Sequence, residues 1–163
     1  MTSISINHLL VAGVGLIGGS LALALKRAGA VSRVTGFGRR PQNLDQAVEL
    51  GVIDDYVLDL GGSAVQSADV VFLGVPVGAM SPILSDLAPV VREDAVITDG
   101  GSTKGGPIAA AQKCLGTRFG RFVAGHPIAG SERSGVAAAR ADLFDHHKVL
   151  LTPVNETEPE SVA

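Results

Sequence analysis

Aromatic residues make up only 4% of the 163 positions, no run of Lys or Arg exceeds two, and the formal net charge is −3. Without a basic stripe or an aromatic stacking platform, a nucleic-acid partner is not expected. Cysteine occurs once, at Cys114, so no internal disulfide can form. No Cys/His cluster has metal-site spacing, and neither a metal ion nor an oxidising compartment is called for. A reducing, cytoplasmic setting fits best.

Charge is also scarce, at 18%, against 46% hydrophobic residues. A chain of this length and composition can bury one substantial core but hardly two. The uncharged stretch Leu9 to Leu25 could be mistaken for a membrane span or a signal-peptide core. No Lys or Arg precedes it, however, and Gly13, Gly15, Gly18 and Gly19 interrupt it. The expectation is a soluble protein without membrane contact.

What the sequence has in abundance is glycine, with 21 residues. Many glycines and few aromatics suit sheet-and-helix layers joined by tight turns. Periodicity predicts strand His8–Ala12, helix Leu16–Ala28, strand Arg33–Phe37, helix Gln42–Leu50 and a weak strand Val57–Leu60. Asp69–Val75 is a near-continuous apolar run, the pattern of a strand buried on both faces. Then follow helix Val77–Leu87, strand Ala95–Thr98, helix Lys104–Leu115, strand Arg121–Ala124, a loop His126–Gly130 and strand Lys148–Leu151. This alternation predicts an α/β fold: a Rossmann-type, doubly wound, mainly parallel sheet with helices on both faces. Ligands then sit at the carboxyl ends of the strands, where GVP, DGGSTK and GHPIAG would meet as one site.

Gly13-Val14-Gly15-Leu16-Ile17-Gly18 fits GxGxxG between a predicted strand and a predicted helix. Gly13 would permit the tight turn, Gly15 the approach of a pyrophosphate, and Gly18 close packing of helix on sheet. A glycine-rich turn in a helix-packed hairpin is the plainer alternative. About twenty residues on, where NAD binders usually place an acid on the ribose, stand Gly38-Arg39-Arg40. Two guanidiniums and no carboxylate favour NADP through its 2′-phosphate, with NAD also possible. Otherwise the pair is a solvated surface feature.

From Leu9 to Pro153 the sequence resembles the prephenate/arogenate (cyclohexadienyl) dehydrogenase family, through GVGLIGGSLALALK at Gly13–Lys26, LGVP at Leu73–Pro76, DGGSTKG at Asp99–Gly105, GHPIAGSERSG at Gly125–Gly135 and VLLTP at Val149–Pro153. Asp99-Gly100 commonly reads Asp-Val in that family, so Gly100 is a mild departure. The resemblance implies an oxidoreductase of tyrosine biosynthesis, NAD(P)-dependent, that oxidatively decarboxylates prephenate or arogenate. It implies His126 as acceptor of the hydroxyl proton, a task suited to imidazole. Ser102 is implied as an orienting residue between that histidine and the nicotinamide. Val75 and Pro76 would lie along the cofactor, and Ser131, Glu132 and Lys104 would be candidates for the substrate pocket.

Several of these residues also have ordinary explanations. Ser102 could cap the following helix. Lys104, in a first helical turn where the macrodipole disfavours a cation, calls for a partner: cofactor, substrate or Asp99. His8 shows no partner, and adjacent His146 and His147 read as loop residues. No basic residue falls in a recognisable substrate motif, although prephenate carries two carboxylates. The resemblance places the needed arginine in a helical second domain that also forms a homodimer. Thr157 and Glu160 have capping-box spacing with Pro159 between them, so residues 1–153 are expected to be the dinucleotide-binding domain and 154–163 the start of a linker helix. Rival readings are another Rossmann oxidoreductase, such as a 3-hydroxyacid dehydrogenase, or a non-catalytic cofactor sensor.

Overall fold

The computed structural model describes residues 5–163. Strand β1 (Ile6–Ala12) leads through a glycine turn into helix α1 (Leu16–Arg27), then β2 (Val31–Phe37), α2 (Pro41–Glu49) and β3 (Asp55–Val57). A one-turn helix α3 (Ser63–Gln66) precedes β4 (Val70–Leu73), and α4 (Met80–Leu87), β5 (Val96–Asp99), α5 (Gly105–Leu115), β6 (Phe122–Pro127) and β7 (Val149–Thr152) complete the order. The sheet runs β3-β2-β1-β4-β5-β6-β7, with β1 to β6 parallel and β7 antiparallel to β6. The strand order reverses between β1 and β4, and the crevice above that switch point is where such sheets bind ligands.

Strand side chains alternate between faces, and both faces are covered, so β1 is apolar at successive positions. Leu9 and Val11 pack with Val34, Phe72, Ala22 and Leu44 beneath α1 and α2. Leu10 and Ala12 pack with Val71, Leu73, Ile97, Leu84 and Ala111 beneath α4 and α5. The expected Rossmann-type architecture is therefore present. No helix among the described residues is long and apolar enough to cross a membrane, because the Leu9–Leu25 run is broken into strand, turn and helix.

Local differences have local causes. The third strand lies at Asp55–Val57, earlier than Val57–Leu60, since Thr35, Gly36 and Phe37 of β2 are the available partners; Leu60 is buried in the turn beyond. The segment after Pro76 makes a 3-10 turn at Val77–Ala79 before becoming α-helical. His126, expected in a loop, is in β6, because β7 extends that strand by pairing His126 with Leu150 and Pro127 with Val149. Thr157 does not cap a helix: its hydroxyl accepts the N–H of Val154 at 2.9 Å, and Pro159–Ser161 is a single 3-10 turn with Glu158 at its cap position. His8 does have partners. It is 5% exposed, with Nδ1 2.9 Å from the Ser67 hydroxyl and Nε2 2.8 Å from the Thr35 hydroxyl.

Candidate active site

The fingerprint turn sits at the switch point. Gly13 has φ +94°, and a Cβ there would lie 2.7 Å from Val75 and 2.8 Å from the Gly74 carbonyl carbon. Only glycine meets both conditions. A Cβ on Gly18 would fall 2.3 Å from the Gly13 carbonyl oxygen and 2.8 Å from Val11, so this glycine lets α1 lie directly on β1. Around Gly15, by contrast, a Cβ would meet nothing within 4 Å. That open space faces the start of α1, whose ladder begins only with Gly19 N–H on Gly15 O at 2.9 Å. Among the described residues the preceding N–H groups of Leu16, Ile17 and Gly18 have no hydrogen-bond acceptor and can meet an anion, and no acid occupies the first turn. Val14 packs against the α1-side core. These residues fit a pyrophosphate: an open approach, unpaired donors and a positive helix end.

Val75 and Pro76 follow β4 on the far wall of the crevice, with Val75 against Gly13 and Pro76 exposed. Gly38, Arg39 and Arg40 follow β2 on the near side. Both arginines are exposed, and neither joins an ion pair among the described residues.

A cleft of about 330 Å³ continues from the fingerprint toward β6. Leu16, Ile17 and Gly100 form one wall; Ser102, His126 and Ser131 bring its polar groups. The structure thus gathers Ser102 after β5, His126 on β6 and the start of α1 around one volume. Ser102 does not cap α5, whose cap position belongs to Lys104 and carries no side-chain bond; its exposed side chain is left to the cleft. Glu132 is exposed on the loop beyond, where the Ser131 hydroxyl accepts the Arg133 N–H at 3.0 Å. At Gly100 a Cβ would come within 2.7 Å of the Phe72 ring, so Phe72 fills the space that the family's usual valine would need.

Lys104 is not on the cleft wall. Its ammonium donates to Asp99 Oδ2 and to the Gly125 carbonyl, the Asp99 pairing among the three that its position called for. Asp99 is 1% exposed and also accepts the N–H of Gly101 at 2.9 Å and of Gly125 at 3.0 Å. The sequence alone marks Asp99 only as one of three partners for Lys104. The available signal was a lone carboxylate ending a buried strand before two glycines.

Comparison with known proteins agrees with this fold. The family described as "Prephenate dehydrogenase, nucleotide-binding domain" matches residues 21–163. A prephenate dehydrogenase of Bacillus subtilis is 41% identical over 96% of this chain and 42% of its own length. Among solved structures, the Aquifex aeolicus prephenate dehydrogenase in complex with hydroxyphenyl propionate and NAD+ has 37% identity and a TM-score of 0.89, covering 99% of this chain and 55% of that one. The Synechocystis arogenate dehydrogenase has 34% identity and a TM-score of 0.84, over 95% and 53%. The chain thus spans about half the length of the relatives it matches. It belongs to the prephenate dehydrogenase family and corresponds to the nucleotide-binding domain of that family.

Proposed function

We propose that the protein takes part in tyrosine biosynthesis as an oxidoreductase that converts prephenate to 4-hydroxyphenylpyruvate or arogenate to tyrosine, with NADP favoured over NAD. The observation that carries this reading is the meeting of Ser102, His126 and the start of α1 around one cleft. Gly13, Gly15, Gly18 and the first turn of α1 would hold the dinucleotide, with Val75 and Pro76 across the crevice. Arg39 and Arg40, just beyond β2 and without an ion-pair partner among the described residues, favour a 2′-phosphate. Bound there, the nicotinamide supplies a hydride acceptor.

His126 takes the hydroxyl proton as hydride leaves the same ring carbon. The bond to the ring carboxylate then breaks, its electron pair enters the ring, carbon dioxide departs, and the phenolate oxygen recovers a proton. Ser102 orients the hydroxyl between imidazole and nicotinamide. Ser131 lines this volume and Glu132 follows it, exposed, on the same loop, so both are candidates to meet the rest of the substrate. No lysine or arginine is among the cleft-lining residues, so the arginine for the substrate carboxylates would come from a helical second domain that also forms a homodimer. A cytoplasmic location belongs to the same reading.

The test follows nicotinamide reduction by the protein at its natural length, with prephenate and arogenate, each with NAD and NADP. Turnover of at least one substrate is expected, with higher kcat/KM for NADP, and His126→Asn should lower kcat by about 100-fold or more. Cofactor binding without turnover in all four combinations would remove the assignment.

A further inference from the structure

The β5–β6 ladder stops short of the site. Its register pairs Ile97 with Phe122 and Thr98 with Val123, and no further pair follows on that side before His126. Where main-chain pairing ends, two side chains replace it. Asp99 Oδ1 accepts the Gly125 N–H at 3.0 Å, and Lys104 Nζ donates to the Gly125 carbonyl. Asp99 and Lys104 are joined to each other, with side-chain exposures of 0% and 15%. Both polar atoms of Gly125 are therefore held by one buried ion pair, and Gly125 immediately precedes His126. Nor can the strand be moved back by a larger residue: a Cβ on Gly125 would sit 2.8 Å from the Asp99 carbonyl oxygen.

We infer that Asp99 and Lys104 form a clamp on the Gly125 peptide that positions His126 for proton transfer, and that Lys104 is a positioning residue without substrate contact. This rests on the dehydrogenase reading of the same site. The chemistry requires the clamp to be rigid. The ion pair is largely shielded from water, so its charges act strongly on the peptide they hold; an uncharged chain cannot replace the ammonium shared between two oxygens, and a bulkier planar guanidinium replaces it only in part. The same pair ties the DGGSTK turn, and with it Ser102, to the strand carrying His126. One device sets the relative placement of both residues.

The experiment uses the protein at its natural length, comparing wild type with Lys104→Met, Lys104→Arg and the double variant Asp99→Asn/Lys104→Met, which removes both charges and so leaves no buried carboxylate unpaired. Lys104→Met and the double variant are expected to lose about 100-fold in kcat, the scale of a misplaced reacting group. KM for substrate and Kd for cofactor should stay within about threefold, and Lys104→Arg should recover about tenfold of the lost kcat. A rise in substrate KM with kcat preserved would make Lys104 a substrate ligand and overturn the clamp. So would a folded double variant with wild-type kcat. If wild type itself turns over neither prephenate nor arogenate, the dehydrogenase reading fails separately, and NMR of the His126 ring decides the clamp: a single environment in wild type that becomes multiple or exchange-broadened in the double variant supports it, and an unchanged signal sinks it.

Discussion

Two glycines three residues apart can have opposite relations to their surroundings, and Gly15 and Gly18 of the fingerprint show this at the scale of single atoms. Gly18 is glycine because protein is already there: its missing Cβ would lie 2.3 Å from the Gly13 carbonyl oxygen. Gly15 is glycine where protein leaves room, with nothing within 4 Å. Gly18→Ala should therefore destabilise the fold, by about 1–3 kcal/mol as overpacking typically does. Gly15→Val should leave the melting temperature nearly unchanged and weaken dinucleotide binding by about tenfold or more, because the side chain fills the approach to the α1 donors. Thermal denaturation and cofactor titration of both variants separate the effects. Equal losses of stability in the two would contradict the assignment of open space at Gly15.

At the scale of elements, the lower edge of the sheet carries a polar chain unrelated to the cleft. Ser67 meets His8 Nδ1, His8 Nε2 meets Thr35, and the Thr35 hydroxyl donates to Asp55 at 2.6 Å, joining β1, β2, β3 and the turn before β4. Burial, with help from the Arg33 charge, lowers the His8 pKa below its usual 6.5, against the opposing pull of Ser67, Asp55 and Asp69. The folded chain thus resists a proton that the unfolded chain accepts. Stability from this source is full above pH 6.5, declines as the pH falls through 6.5 toward the lowered folded value, and levels off below it. One such group changes the unfolding free energy by at most about 1.4 kcal/mol per pH unit. Chemical denaturation at a series of pH values should show this slope in wild type and a flatter one in His8→Gln. An unaltered slope would place the titration elsewhere.

This network also marks where the sequence could be read and where it could not. The order of strands and helices is legible because burial on both faces makes β1 apolar from Leu9 to Ala12 and β4 apolar throughout, and because Gly29 and Gly51 close the two helices on schedule. His8 looked partnerless because Ser67 and Thr35 are distant in sequence and only the sheet order brings them together. The end of β6 was misplaced for a related reason: β7 returns antiparallel, and periodicity carries no information on which neighbour will extend a strand. In the site, the GxGxxG segment contributes Leu16 and Ile17, and the HP motif His126 and Pro127, to the lining of one cleft. The clamp of Asp99 and Lys104 depends on the exact stop of the β5–β6 ladder, which no motif encodes.

For the molecule as a whole, the cleft poses a charge problem. Prephenate, one of the two proposed substrates, is a dianion, yet the walls around Ser102 and His126 are apolar or neutral. Lys104 is committed to Asp99 and Gly125, and Arg39 and Arg40 lie at the end of β2, on the cofactor side of the crevice. A charge-assisted hydrogen bond contributes about 1.5–3 kcal/mol, so two unmatched carboxylates correspond to about 10²- to 10⁴-fold in kcat/KM. Residues 1–163 produced as a separate protein should therefore bind NADP, through donors and arginines they already hold, and oxidise prephenate or arogenate at least about 100-fold less efficiently than the protein at its natural length. Calorimetry with NADP and steady-state rates for both proteins measure the two halves of this expectation. Equal kcat/KM values would mean that the cations for the substrate reside within this chain after all, with Arg133, exposed and two residues beyond the cleft-lining Ser131, the first residue to replace.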